Sequence, residues 1–232
     1  MKQEKQETSE KPGQTTTTLH ARREMASRWA ALGGMVVVGV IYAILPARLV
    51  IGPSWLLLAI EAVFIIPLAI YMLSGRELSH ATIRTLVMVL LGILTLALAI
   101  GVFLLIALIT TEPRYITAVI LLRSAALLWG FNILVFALWY WEIDGGGPYK
   151  RHQAGHQATD FMFPQQVDGN KTRWVSHFFD YLFLAFTGAT ALSPADTYPL
   201  TPLAKALMMI EAILSMTIIV LLAARAVNIL GG

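Results

Sequence analysis

The chain has 232 residues, of which 57% are hydrophobic and only 13% charged. A water-soluble domain averages about half apolar and about a quarter charged, so this balance points to lipid as the solvent. No cysteine is present, which excludes disulfide scaffolds, thiolate zinc sites and cysteine nucleophiles, and the formal net charge of +3 becomes informative only when the positions of the charges are read.

Residues 1–20 are polar, with Met1 and Leu19 as their only aliphatic side chains. Such a segment buries too little apolar surface to offset the entropy of ordering, so residues 1–28 read as a disordered cytoplasmic tail. A secretory signal would carry its apolar core near the start, and this segment does not. Arg22, Arg23 and Arg28 lead into the first apolar run, where they suit an orientation signal better than a nucleic-acid surface.

Crossing the hydrocarbon layer by helix takes about 20 apolar residues. Charge-poor runs cover 29–47, 49–75, 85–111, 115–141, 174–195 and 206–224. Backbone in hydrocarbon must satisfy its own hydrogen bonds, and the alternation of a membrane barrel is absent. The expected fold class is therefore all-α, a polytopic transmembrane bundle of six spans. Its first four helices fall in 29–141, a Gly- and His-containing cytoplasmic loop in 142–173, and a final helical pair in 174–228. Pro67 lies inside the second run and predicts a kink. Thr201-Pro202 reads as an N-cap followed by a first-turn proline.

Basic residues set the orientation. With the amino terminus cytoplasmic, six crossings leave Lys2, Lys5, Lys11, Arg22, Arg23, Arg28, Arg76, Arg84, Lys150, Arg151, Lys171, Arg173 and Arg225 inside. Only Arg48, Arg114 and Lys205 fall outside. Both termini are then cytoplasmic, and interfacial Trp and Tyr residues agree with that arrangement.

Charges inside apolar runs are expensive and mark candidate sites. Glu61 and Arg123 fall at similar depth on helices that start on the same side, which predicts a pair or a polar cluster shared with Asn132. Its reading is a structural pair, a transport or proton-relay role, or lipid-facing snorkelling. Asp180 and Thr187 share one face of the fifth run, and Glu211 and Ser215 share one face of the sixth. With Asp196 they outline either an ion path or a buried seam.

In the loop, Gly145-Gly146-Gly147-Pro148 breaks any helix and lacks the lysine of a phosphate-binding loop. His152, His156 and Asp160 recur every four residues, a weak metal-ligand pattern without an evident fourth ligand, while a solvated interfacial loop is the alternative. Phe161 to Pro164 are expected to turn back against the membrane surface. No nucleophile turn, HExxH motif or spaced carboxylate pair indicates an enzyme, and no cofactor is called for.

Residues 115–230 resemble a family of uncharacterised bacterial multi-pass membrane proteins. The resemblance runs through Leu127-Leu128-Trp129, Trp139-Tyr140-Trp141, Asp160-Phe161, Phe163-Pro164, Phe179-Asp180-Tyr181-Leu182, Phe186-Thr187 and Ser193-Pro194-Ala195-Asp196. It implies a bacterial plasma membrane but no established chemistry. Residues 183–199 also resemble the pore helix, filter and acidic turn of two-helix potassium channels. Asp196 matches the aspartate after the filter, and Tyr198 to Leu203 match the entry to the inner helix. The filter positions are Ala191-Leu192-Ser193-Pro194-Ala195, without the glycines that usually permit a ring of backbone carbonyls. With the preceding loop cytoplasmic, 174–195 is expected to cross completely, with re-entry left open as the alternative.

Two functional classes stay open. One is a structural, sensory or envelope-associated membrane protein. The other is a channel-like or transporter-like protein that moves a small cation between its last helices. The expected partner is the lipid bilayer, a homo-oligomer is left open, and no nucleic acid is implied.

Overall fold

A computed structural model describes residues 12–74, 79–111, 117–190 and 196–230. Its helices are α1 (Pro12–Ile44), α2 (Leu56–Ser74), α3 (His80–Thr111), α4 (Ala118–Ile143), α5 (Pro148–Gln153), α6 (Phe178–Ala189) and α7 (Pro202–Leu230). Two short strands, β1 (Phe161–Met162) and β2 (Tyr198–Pro199), pair antiparallel, with Phe161 opposite Pro199 and Met162 opposite Tyr198. The molecule is a largely helical bundle, as its composition predicts.

Among the described residues, four stretches are long and apolar enough to cross a membrane: Met25–Ile44, Ala81–Thr111, Val119–Gly146 and Pro202–Ala224. The apolar stretches Leu56–Ile70 and Phe178–Ala189 are shorter, so the six expected full-length runs are not all realised. Helix α1 starts at Pro12, well inside the expected tail. The segment Ala21 to Ser27 holds no helix breaker and is rich in Ala, Arg, Glu and Met, so the helix propagates back from the apolar run. Helix α2 continues through Pro67.

Helix α4 occupies the centre. Leu121, Ala125, Leu128, Phe131, Val135, Phe136 and Leu138 are all buried along it, and it packs on α1, α3, α6 and α7. Helix α3 contributes a stripe of Val87, Leu91, Leu94, Leu98 and Leu105, at the three-and-four spacing of a packed seam. Gly101 on α3 lets Leu128 approach to where a β-carbon would lie 2.9 Å from it. Helix α7 has a narrow buried seam, Ala204, Glu211, Ser215 and Ile218, again at seven-, four- and three-residue steps. Its other faces expose Met209, Ile213 and Met216 by more than half. Polar groups inside and large apolar groups outside invert the pattern of a water-soluble helix.

The helices run between two ends of the bundle. At one end lie Ser27 of α1, the close of α4, the segment 144–177 and the start of α7. Phe178 N–H donates to Ser27 Oγ at 2.7 Å, and Thr201 Oγ1 donates to Asp160 Oδ1 at 2.8 Å. At the far end lie the close of α1 and the turn carrying Arg48, where Tyr42 Oη accepts from the Ile51 N–H at 3.2 Å. Helix α7 leads away from the loop end, so its carboxyl-terminal turn with Arg225 lies at the far end and Lys205 lies at the loop end.

Candidate functional site

Helix α6 enters the bundle beside the close of α4, with Trp141 and Tyr181 rings 5.5 Å apart between centroids. Its 12 residues extend about 18 Å, little more than half of a hydrocarbon layer of about 30 Å. Its last turn ends among mid-helix residues of α4 and α7. Beyond the undescribed residues 191–195, the chain is back at the loop end, where β2 pairs with β1 and Leu200 N–H donates to Asp160 O at 2.8 Å. Entry and return on one end replace the complete crossing expected for 174–195. An apolar run of adequate length carries no information about where its partner strand lies.

A helix that stops inside a bundle leaves its last carbonyls without intrahelical donors. Here Ser215 Oγ donates to Ala189 O at 2.6 Å, and Trp129 Nε1–H donates to the same oxygen at 3.4 Å. Thr190 Oγ1 donates to Phe186 O at 2.8 Å. Glu211 faces the same tip: an added β-carbon on Gly188 would sit 2.8 Å from its Oε2. Tyr140 Oη donates to Glu211 Oε2 at 2.5 Å, and Asn132 Nδ2 donates to Glu211 O at 3.2 Å. The Glu211 Oε1 and Asn132 Oδ1 atoms are buried with no hydrogen-bond partner among the described residues. Two acceptors without donors are thus buried in this region, close to the negative end of a helix.

Of the expected path, Glu211 and Ser215 come together here. Thr187 is buried one turn earlier and donates to Leu184 O at 2.8 Å. Asp180 sits at the other end of α6 as a cap, accepting from the His177 N–H at 2.6 Å. Asp196 is exposed at the loop end. Asn132, expected beside Glu61 and Arg123, instead belongs to the Glu211 cluster. Glu61 is buried against Gly39 of α1, with no hydrogen-bond partner for either carboxylate oxygen among the described residues. Arg123 is exposed, outside the buried stripe of Leu121, Ser124, Ala125 and Leu128, so equal depth does not bring it to Glu61.

The loop end is a built cap. Asp144 Oδ1 accepts from the Asp160 and Phe161 N–H groups at 3.1 and 3.3 Å, and Tyr181 Oη donates to Oδ2 at 2.5 Å. Arg151, 1% exposed, donates through Nη1 to Trp141 O and Asp144 O at 3.0 and 2.8 Å. Its guanidinium carbon lies 4.5 Å from the Trp141 ring centroid and 5.1 Å from that of Tyr181. Phe161 and Phe163 are buried in protein, against Tyr140, Tyr181 and Trp174, where a turn against the membrane surface was expected.

Of the weak metal pattern, the His152 and His156 rings come together, 5.8 Å apart between centroids. Helix α5 ends at Gln153, so His152 and His156 do not share a helical face, and His156 has a positive φ of 54°. Asp160 is committed to Gly145 N–H and Thr201. Among the described residues no group of three His, Cys, Asp or Glu side chains could hold a metal ion.

Sequence reading missed Tyr140, although it follows Asn132 and Phe136 at four-residue steps on one face of α4. It also missed Gly188 and the Asp144–Arg151–Tyr181 group, whose members meet only through the glycine turn. No family model, curated protein or solved structure matches the chain.

Proposed function

We propose that the protein is a multi-pass integral membrane protein in which α1–α4 and α7 cross the bilayer and α6 dips in from the loop side. In this reading the α4–α6–α7 unit admits a small cation or proton through the region between the α6 tip and Glu211. The observation that carries it is the half-length helix, ended by Ser215 and Trp129 inside the bundle, whose return pairs with β1. Non-helical backbone at membrane depth is tolerated where protein buries it or where it lines a water-filled path. The negative end of α6 meets an acidic side chain there, an arrangement that a cation offsets. Outer helix, half-length helix, return and inner helix follow in the order that the pore-module resemblance implies, and the filter positions 191–195 lack its glycines.

The loop end faces the cytoplasm in this proposal. Arg28, Arg84, Lys150, Arg151, Lys171, Arg173 and Lys205 gather there, while Arg48 and Arg225 lie at the far end.

A second reading, a structural membrane protein, is favoured by the packing: Tyr140 and Gly188 close directly on the Glu211 carboxylate. Cation and proton flux into proteoliposomes separates the two. Conduction predicts flux that Glu211→Gln reduces at least severalfold in folded protein. Absence of flux from the wild-type chain, with a lower melting temperature for Glu211→Gln, supports the structural reading.

A further inference from the structure

At the loop end, α1, α2, α3, α4 and α5 together line a cleft of about 730 Å³. Ligand pockets commonly occupy about 300–1,000 Å³. The walls are apolar, including Met35 of α1, Leu68 of α2 and Val87 of α3. The mouth is not. Arg28 from α1, Arg84 from α3 and Lys150 from α5 all line it, contributed by three separate elements. Among the described residues, Glu142 is the acidic residue of the lining; it is 7% exposed and interacts electrostatically with both Arg84 and Arg151. Among the described residues, one buried carboxylate against three cations makes the lining net positive. Trp141 closes the inner wall, and the Arg151 guanidinium lies behind its ring.

We infer that this cleft binds an anionic phospholipid, its headgroup phosphate at Arg28, Arg84 and Lys150 and an acyl chain along the apolar walls. The inference rests on the membrane reading above, because only there does the rim of cations coincide with a headgroup layer. Apolar depth alone fits many occupants, but a cationic rim over an apolar cleft selects an amphiphile with a negative head. The three cations come from segments that are distant in sequence, so one anionic head tied to them also ties α1, α3 and the loop cap together. A neutral lipid fills the apolar part and forgoes the rim. A free phosphate meets the rim and leaves the apolar part empty.

The test is native mass spectrometry of the full-length protein, extracted from membranes and incubated with phosphatidylglycerol, phosphatidylcholine or inorganic phosphate. The expected result is retained phosphatidylglycerol in preference to phosphatidylcholine, falling roughly fivefold for each of Arg28→Gln, Arg84→Gln and Lys150→Gln. Inorganic phosphate is expected not to displace it. Val87→Trp, which fills the cleft and leaves the rim intact, is expected to lower retention as well. Equal retention of the two lipids, or retention unchanged by all the rim variants, would overturn the inference; so would displacement by phosphate. A protein that carbonate washing releases from membranes would instead defeat the membrane reading itself.

Discussion

Arg151 illustrates how a single cation is held without water. Two backbone carbonyls, two aromatic faces and the Asp144 carboxylate, 3.9 Å away, surround it. Its Nε and Nη2 groups have no hydrogen-bond partner among the described residues, so its charge depends on Asp144 and the rings. Asp144 is better provided for, since Tyr181 and two backbone N–H groups also serve it. Removing one member of a buried pair commonly destabilises by about 3–5 kcal/mol. Asp144→Asn, which leaves the guanidinium without its counter-charge, is expected to fall in that range. Arg151→Met is expected to cost less, because the remaining carboxylate keeps its three donors. Thermal unfolding in detergent measures both, and the opposite ranking would show that Asp144 is the member that needs the pair. Asp144 and Arg151 were visible in the sequence only as charges in a glycine-rich loop. Their convergence depends on three consecutive glycines with positive φ, Gly145, Gly146 and Gly147, which reverse the chain so that Arg151 returns under Trp141.

At the scale of elements, α6 decides the architecture. Its apolar run is long enough to have been read as a span, and the helix closes at Ala189 with Thr190 as its cap. The destination of the return is not local: β2 pairs with a strand more than thirty residues earlier. Hydropathy reports solvent preference and helix length but not a partner at that distance, which is why the Thr201 cap was legible and the return was not. Thr201 Oγ1 indeed accepts from the Ala204 N–H at 3.3 Å, with Pro202 opening α7. Glu61 and Arg123 teach the same lesson in azimuth. Their depths follow from rise per residue, but which face of α4 is buried follows from packing. The contact between α6 and α7 is close enough to test directly. Gly188→Ala places a methyl group 2.8 Å from Glu211 Oε2, which Tyr140 holds in place. Overpacking of this kind commonly costs about 1–3 kcal/mol. The expected outcome is a lower melting temperature, largely relieved when Glu211→Ala is added. No relief would mean that the methyl group clashes elsewhere.

Over the whole molecule, large apolar side chains face outward as well as filling the core. Glu211, Ser215 and Asn132 are buried while Val63, Phe103, Phe179 and Ile213 are more than half exposed. In lipid, arginine at the centre of a spanning helix carries a penalty of about 2.5–3.5 kcal/mol on insertion scales. Ile213→Arg on the outer face of α7 is therefore expected to reduce membrane-inserted protein sharply. Unchanged insertion, or a gain in soluble monomer, would argue against α7 facing lipid. The central claim is that the chain enters and leaves the bundle at one end through α6 and β2. It is tested most directly by a Met162→Cys, Tyr198→Cys double variant in native membranes, where the cysteine-free background excludes other disulfides within the chain. Directly opposed residues of an antiparallel pair lie about 4.5–5.5 Å apart between Cα atoms, within disulfide range. The account predicts rapid cross-linking under mild oxidation, with Gln157→Cys and Tyr198→Cys single variants labelled from the same side of the membrane. Failure to cross-link, together with labelling of those two positions from opposite sides, would contradict it.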